Sequence, residues 1–141
     1  MQVFSGLGRS AKIRSRLKNV VAAIGVFDGV HLGHQAVIAR AVDEARRING
    51  KSVVVTFHPH PVQVLHPERF SSCLTTLPQR LKLIASLGVD ACWVIPFTKR
   101  FASTTPGDFV KKILMGRLGL KRIVVGSDFH FGHDRSGAIR L

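Results

Sequence analysis

The sequence contains few cysteines and no long apolar run, and these shortages exclude whole classes of protein. Cys73 and Cys92 are the only cysteines among 141 residues, too few for a disulfide-stapled scaffold and too far apart for a Cys-x-x-Cys pair. The longest apolar run, residues 20–27, is interrupted by Gly25, whereas a membrane-spanning helix needs about 20 apolar residues. We therefore expect a protein without a membrane span, in a reducing, cytoplasmic setting.

Acidic residues are also scarce, with 8 Asp and Glu against 21 Lys and Arg, so the formal net charge is +13. Such a balance indicates anionic partners, which include nucleic acid, anionic lipid and phosphorylated small molecules. Beyond residue 18 the basic residues are scattered over predicted helix faces, and aromatic residues do not alternate with them as on a base-stacking surface. A nucleic-acid-binding protein is therefore kept only as a third hypothesis.

The first 18 residues are basic and contain no acid. Their basic residues are Arg9, Lys12, Arg14, Arg16 and Lys18. This composition, with its serines, is also that of an organellar transit peptide. Because the first predicted strand follows at once, we interpret residues 1–18 as a solvated lead-in, and we expect the folded domain to begin at residue 19.

Four short apolar segments separated by helical patterns predict alternating strands and helices. The predicted strands are residues 19–26, 52–57, 91–96 and 122–125. The predicted helices are residues 35–48, 76–87 and 105–115. Units of this kind form parallel sheets, because their crossovers are nearly always right-handed. The sequence therefore predicts an α/β fold, a Rossmann-like three-layer sandwich with a parallel sheet.

Histidines are concentrated in the loops that follow the predicted strands. Five of the seven lie in the loops after the first, second and fourth strands, and only His66 and His133 lie elsewhere. Ligands of open parallel sheets bind beyond the carboxyl ends of the strands. The histidine-bearing loops are therefore the predicted functional site.

The strongest signal within these loops is His-Leu-Gly-His at residues 31–34, where a predicted helix begins. The three-residue spacing places both imidazoles near one helix face, and Gly33 allows a ligand to approach the backbone. The helix start adds free N–H groups and a positive dipole end, which favour a polyphosphate. Phosphoryl-type transfer depends mainly on positioning and charge stabilisation, so histidine donors would be sufficient.

Zinc is the alternative ligand of these loops. The side chains available to bind it are Asp28, His31, His34 and either His58 or His60. Their spacing resembles neither a zinc finger nor a His-Glu-x-x-His helix. The sequence has no P-loop and no Gly-x-Ser-x-Gly motif, and residues 6–11 fit a dinucleotide-binding pattern without a preceding segment long enough for its strand.

The loop His-Pro-His-Pro at residues 58–61 is predicted to be stiff, because each proline fixes its own φ and favours an extended predecessor. With Phe57, and with Phe129 and Phe131 opposite, this wall would clamp a planar ring by stacking. The alternative is that these phenylalanines pack in the core.

Three loop motifs together resemble a known family. They are GVFDGVHLGHQ at residues 25–35, TFHPHP at residues 56–61 and GSDFHFG at residues 126–132. In this order and spacing they are similar to the adenylyltransferase (FAD synthetase) module of prokaryotic bifunctional riboflavin kinase/FMN adenylyltransferases. The first motif alone marks the wider His-x-Gly-His nucleotidylyltransferase superfamily, and the other two narrow it to the flavin branch.

The resemblance implies transfer of AMP from ATP to FMN, which gives FAD and pyrophosphate, with Mg²⁺ held largely by phosphates and water. It implies that His31 and His34 hold the ATP phosphates and stabilise the developing charge, and it implies no protein ligand for the metal. The implied ATP-binding residues are Gly25, Phe27, Asp28, Gly33 and Asp128. The implied flavin-binding residues are Phe57, Pro59, His60, Pro61 and Phe129.

Two departures from the family pattern bear on this expectation. The second motif commonly carries aspartate where this chain has His58, so the loop loses a negative charge and gains a donor. The sequence ends at Leu141, before the family's Ser-Ser-Thr-x-x-Arg phosphate segment and before a riboflavin kinase module. We therefore expect an FMN adenylyltransferase module that is incomplete at its C-terminus, and the alternative is a nucleotide- or flavin-binding module without catalysis.

Overall fold

The computed structural model describes residues 1–8, 11–126, 130–131 and 137–138. Five parallel strands form its sheet: β1 (Gln2–Ser5), β2 (Val20–Ile24), β3 (Ser52–His58), β4 (Ala91–Pro96) and β5 (Leu120–Val124). Their order across the sheet is β1-β4-β3-β2-β5. A separate antiparallel pair joins β6 (His130–Phe131) to β7 (Gly137–Ala138).

Helices occupy both faces of this sheet. They are α1 (Ala11–Arg16), α2 (Leu32–Arg47), α3 (Pro61–Leu65), α4 (Leu77–Ala85), α5 (Lys99–Ala102) and α6 (Pro106–Asp108). The last continues directly into a π-helical segment, Phe109–Leu118. Short 3-10 turns lie at Asp28–Val30 and Pro67–Arg69.

Two apolar clusters, one on each side of the sheet, confirm the predicted three-layer α/β sandwich. On one face, Ile38 of α2 and Ile84 of α4 are completely buried against β2, β3 and β4. On the other face, α1 and the π-helical segment pack together through Ile13 and Leu114. All five residues of β2 are buried, as expected for a central strand covered on both faces.

Residues 1–18 are not a solvated lead-in, which corrects the expected start of the folded part at residue 19. Gln2–Ser5 pairs in parallel with β4 and forms an edge strand of the sheet. The Trp93 indole donates a hydrogen bond to the Gly6 carbonyl oxygen at 2.9 Å. Ile13 and Leu17 are buried in the core, while Arg14, Arg16 and Lys18 are exposed, so this part of the segment is amphipathic.

The edge strand also changes how the glycine pattern at residues 6–11 is interpreted. A strand does precede the pattern, contrary to the expectation from the sequence. However, β1 lies beside β4 and is separated from β2 by two strands, so the adjacent βαβ unit of a dinucleotide site is not formed.

The remaining predicted elements are present with shifted ends. The first long helix begins at Leu32 rather than residue 35, because the His31 side chain caps it. The last long helical stretch runs to Leu118, where Gly119 ends it with a φ of +71°. Among the described residues, no helix is both long enough and apolar enough to cross a bilayer.

Candidate active site

The order of the strands places the site at the carboxyl ends of the strands, along one edge of the sheet. The chain passes from β2 to β3 and β4 on one side, and then returns to β5 on the other side of β2. The gap between β2 and β5 is therefore a topological switch point, where ligands of open α/β sheets bind. Asp128 and Phe129 follow β5 in the sequence but lie outside the described residues, so their predicted roles stay predictions.

His31 caps the helix that starts at this switch point. Its Nδ1 accepts hydrogen bonds from the backbone N–H groups of Gly33 (3.1 Å) and His34 (3.4 Å). A neutral imidazole whose Nδ1 accepts must carry its proton on Nε2. His31 therefore presents an Nε2–H donor, polarised by the two amide groups behind it.

This cap changes one detail of the sequence prediction. Two of the helix N–H groups that were expected to be free for a ligand are used by the His31 ring. Gly33 leaves room for this ring, because an added Cβ would lie 3.1 Å from His31 Cε1 and 3.3 Å from its Nδ1, and the ring would have to shift by a few tenths of an ångström. The positive end of α2 would thus act on a bound anion partly through the imidazole.

The structure brings the two predicted imidazoles together. The rings of His31 and His34 are stacked, with centroids 3.5 Å apart and planes 23° apart. Phe27 contacts the His34 ring edge-on, at a centroid distance of 5.3 Å. Phe27 has a positive φ of 55°, and Gly25 makes room for its ring, which would lie 3.1 Å from an added Cβ. Binding of phosphate by this pair stays a prediction.

Asp28 holds a neighbouring loop. Its Oδ2 accepts a hydrogen bond from Leu74 N (2.9 Å), and its Oδ1 accepts from Thr75 N and Thr75 Oγ1 (both 3.0 Å). Partial burial acts to raise the pKa of Asp28, but these hydrogen bonds and nearby His60 together lower it below its ordinary value. Asp28 is therefore a carboxylate whose oxygens both face the 74–75 backbone.

The zinc alternative finds no support in the described ranges, where no three His, Cys, Asp or Glu side chains are grouped to hold a metal ion. Asp28 is occupied by the loop contacts, and the Nδ1 atoms of His31 and His60 accept backbone hydrogen bonds. Polyphosphate binding by these histidines stays a prediction.

The loop after β3 forms a second wall of the site. His60 caps α3, with its Nδ1 accepting from Val62 N (3.1 Å), and its ring lies 5.5 Å from that of Phe70. His58 is exposed, and the His58–Pro59 peptide bond is cis. Phe57 is only 6% exposed and packs on other phenylalanine rings, so it shows the core packing that was the alternative to stacking.

A cavity of about 630 Å³ opens beside His58 at this edge. Its wall is formed by His58, Cys73, Thr75, Thr76, Leu77 and Pro78. The loop that Asp28 holds, through Thr75, therefore contributes to the wall. The cavity is open to solvent, and its wall is mostly apolar apart from the histidine, the thiol and the threonine hydroxyls.

Sequence reasoning missed Arg80, a buried cation beneath the site. Arg80 lies on α4, is 5% exposed and donates from Nη1 to the carbonyl oxygens of Val26 (2.6 Å) and Phe57 (3.2 Å). It also donates to the Thr56 hydroxyl at 3.1 Å. The helical pattern of α4 gave no signal for it, because an arginine on an amphipathic helix is expected to face solvent.

Arg80, Asp28 and His60 influence one another electrostatically. Burial lowers the pKa of the Arg80 guanidinium, and the Asp28 charge opposes this shift. Burial also lowers the pKa of His60, where Asp28 opposes the shift and Arg80 adds to it. His60 is therefore neutral at neutral pH, with its outer nitrogen protonated because Nδ1 accepts the cap bond.

The five-stranded parallel sheet with a His-x-Gly-His helix cap at its switch point defines an α/β fold of the nucleotidyltransferase type. Two solved structures share the fold. A Streptococcus pneumoniae protein described as a macrolide-efflux protein superposes with a TM-score of 0.81 at 28% identity, over 97% of this chain and 45% of the other. A pantoate-beta-alanine ligase from Francisella tularensis superposes with a TM-score of 0.57 at 18% identity, over 89% and 66%.

Residues 13–141 match the FAD synthetase family, and the chain belongs to it. Among curated relatives, bifunctional riboflavin kinase/FMN adenylyltransferases from Buchnera aphidicola of Schizaphis graminum and from Pseudomonas fluorescens are 36% and 39% identical. The matches cover 100% and 97% of this chain, and 44% and 43% of the relatives. The chain thus spans less than half the length of these relatives.

Proposed function

We propose that this chain forms an FMN adenylyltransferase site, which binds ATP and FMN and transfers AMP to FMN to give FAD and pyrophosphate. The observation that carries the proposal is the His31–His34 stack at the start of α2, with the His31 Nε2–H directed outward by its capping bonds. Membership of the FAD synthetase family and the names of the bifunctional relatives support the same reaction.

The proposed reaction needs charge stabilisation rather than an enzyme nucleophile. An oxygen of the FMN phosphate attacks the α-phosphorus of ATP, and pyrophosphate leaves with the electron pair of the broken P–O bond. The attacking phosphate is already an anion at neutral pH, because its second pKa is about 6, so no base is required. Histidine N–H groups and the positive end of α2 would stabilise the charge that builds on the phosphate oxygens.

The flavin would lie on the side of the His58–Pro61 loop. The cavity beside His58 is large enough for a tricyclic ring and is bordered by Leu77 and Pro78. Pro59, His60 and Pro61 follow His58 in the chain and are half-buried, and they would border the flavin next to this cavity. Phe57 supports this wall from the core, and its ring gives no exposed face for stacking.

Magnesium would enter as the complex with ATP. The described residues offer the ion no cage of carboxylates, and Asp28 is already hydrogen-bonded through both oxygens. Mg²⁺ is commonly held by substrate phosphates and water with few protein ligands. Two free thiols, Cys73 and Cys92, support a reducing, cytoplasmic compartment for the reaction.

Chromatographic detection of FAD after incubation with FMN and MgATP tests the proposal. We expect product from the wild type, and a loss of about a hundredfold or more in His31→Ala and His34→Ala, the effect of removing one donor from a charge-stabilising site. His66→Ala is the matched control, because His66 is exposed after α3 and lies 3.4 Å from Glu68, away from the pair. Equal activity in all three variants would refute the role of the pair.

The same samples distinguish the other hypotheses. ATP and FMN binding without FAD formation would identify the non-catalytic binding module. A chain that binds neither ligand but binds DNA or RNA with a steep salt dependence would establish the nucleic-acid hypothesis.

A further inference from the structure

Strands β2 and β3 separate at the candidate site, and Arg80 fills the gap between them. The last paired residues are Ile24 and Val55, followed by one hydrogen bond from Gly25 N to the Val55 carbonyl oxygen (3.1 Å). Beyond this point the Val26 carbonyl oxygen accepts from side chains, namely Arg80 Nη1 (2.6 Å) and Thr56 Oγ1 (2.8 Å). The backbone just after β2 is therefore held by side chains of α4 and β3 rather than by strand pairing.

The same guanidinium nitrogen also fixes the end of β3. Arg80 Nη1 donates to the Phe57 carbonyl oxygen at 3.2 Å. Val26 directly precedes Phe27, whose ring contacts His34, and Phe57 directly precedes the His58–Pro61 loop. One nitrogen atom thus connects the backbone that carries the imidazole pair with the backbone that carries the second wall of the site.

Packing alone does not require a cation at this position. Burying a charge is costly, and apolar residues of similar volume often stabilise a protein at least as well as a buried charged group. Arg80 is almost completely buried, and among the described residues its Nε finds no hydrogen-bond partner. A buried, incompletely satisfied arginine at the opening between two strands indicates a role in the site above it.

We propose that Arg80 is a positioning residue, which holds the carbonyl oxygens of Val26 and Phe57 and so sets the spacing between the His31–His34 pair and the His58–Pro61 loop. The inference rests on the proposed function, because the two sides that it positions are those proposed to bind ATP and FMN. Arg80 acts through the backbone and touches neither ligand.

Arg80→Met removes the three hydrogen bonds and keeps much of the volume. We expect kcat/KM for FAD formation to fall about tenfold to a hundredfold, the effect of a small misplacement of reacting groups, and affinity for both ATP and FMN to fall. Arg80→Lys, which retains the charge and some donor capacity, should recover part of the loss. Lys82→Met is the matched control, since Lys82 is an exposed cation on the same helix.

Ile84→Ala separates positioning from stability. Ile84 is completely buried on α4 but lies among the apolar residues of the core, so its truncation should lower Tm at unchanged ligand affinity. Arg80→Met should instead lower affinity more than its own Tm change explains. A fall in affinity that follows Tm equally in both variants would assign Arg80 a purely structural role.

Titration of His60 by NMR gives a readout that needs no catalysis. The charges that face His60 are Asp28 and Arg80, and Arg80 lowers its pKa. In Arg80→Met the pKa of His60 should therefore rise, while the part of the shift caused by burial remains. Ile84→Ala should leave the titration of His60 unchanged.

The outcomes separate this inference from the proposed function. A wild type that binds ATP and FMN without making FAD would refute the proposed reaction, and the affinities would still test Arg80. Wild-type affinities in folded Arg80→Met would overturn the positioning role. If Arg80→Met does not fold, the affinities of Arg80→Lys and of the isosteric Thr56→Val for ATP and FMN test the positioning role instead. Unchanged affinities in both variants would overturn that role. A wild type that binds neither ligand refutes both proposals.

Discussion

Replacing Asp28 by asparagine tests the hydrogen bonds by which this carboxylate holds the backbone at residues 74–75. The asparagine side chain can keep the hydrogen bonds to Thr75 on its remaining oxygen, but its amide group would face the Leu74 N–H that now donates at 2.9 Å. The substitution removes one charge-assisted hydrogen bond, which contributes about 1.5–3 kcal/mol to stability when it is shielded from water, and it weakens the others. Because Asp28 is only partly buried, we take the free energy of unfolding to fall by about 2 kcal/mol.

That loss should be visible as a shift in Tm. For a chain of 141 residues the entropy of unfolding is about 0.3 kcal/mol per kelvin, so the expected decrease is about 7 °C. Differential scanning calorimetry at about pH 7 measures it. Asp43→Asn, which changes an exposed carboxylate on α2, is the control and should shift Tm by less than about 2 °C.

The pH dependence of this difference in Tm is a second test of the role of Asp28. The folded-state pKa of Asp28 lies below its ordinary value of 3.8, so its stabilising contribution is fully present above that value. It is lost as the pH falls through the lower folded-state pKa, because the protonated acid no longer accepts these bonds in full. The Tm gap between wild type and Asp28→Asn should therefore narrow in acid. A gap that is absent at neutral pH, or that persists unchanged in acid, would contradict the role of Asp28.

Three further predictions concern single side chains. Gly33→Ala should lower FAD formation by about tenfold or more, because the added methyl group displaces the His31 ring that it would meet at 3.1 Å. Phe57→Leu should lower the free energy of unfolding by about 1–2 kcal/mol in urea denaturation, yet leave the quenching of FMN fluorescence unchanged, since the ring packs in the core. Iodoacetamide at mildly alkaline pH should label Cys73 and spare Cys92, whose pKa burial raises to about 12, as mass spectrometry would show.

Each of these has a distinct contrary result. Gly107→Ala is the control for Gly33→Ala, because nothing lies within 4 Å of an added Cβ at Gly107. Equal activity losses in both variants would show that the loss in Gly33→Ala does not come from displacement of the His31 ring. Weaker FMN binding by Phe57→Leu would restore the stacking role. Labelling of both cysteines at similar rates would show that the Cys92 strand opens readily.

The sequence predicted the parts of the fold that have a strong local pattern. The buried strands β2, β3 and β4 are short segments rich in valine, isoleucine and alanine, and α4 begins with the complete capping box of Thr76 and Gln79. The edge strand β1 was missed because three of its four residues are exposed and lack the apolar run of a central strand. Helix α1 was missed because its segment is rich in basic residues, and the buried positions that the structure describes there are only Ile13 and Leu17.

In the candidate site, too, the features with a local sequence pattern could be predicted and those that depend on distant contacts could not. The spacing of His31 and His34 predicted that the two rings lie together, and they do, although His31 is the N-cap residue with an extended backbone and not part of the helix face on which the prediction relied. The part played by Arg80 depends on contacts with strand ends 23 and 54 residues away in the sequence. No local pattern encodes such contacts, so only the folded chain reveals this residue.

The most direct test of the account observes the His31 and His34 rings while ATP binds. Long-range ¹H–¹⁵N spectra of the imidazoles identify which nitrogen carries the proton and report contact with an anion. We predict that free His31 is protonated on Nε2, and that both rings shift saturably with MgATP while His66 does not. Binding of ATP with no change in either ring would contradict the account.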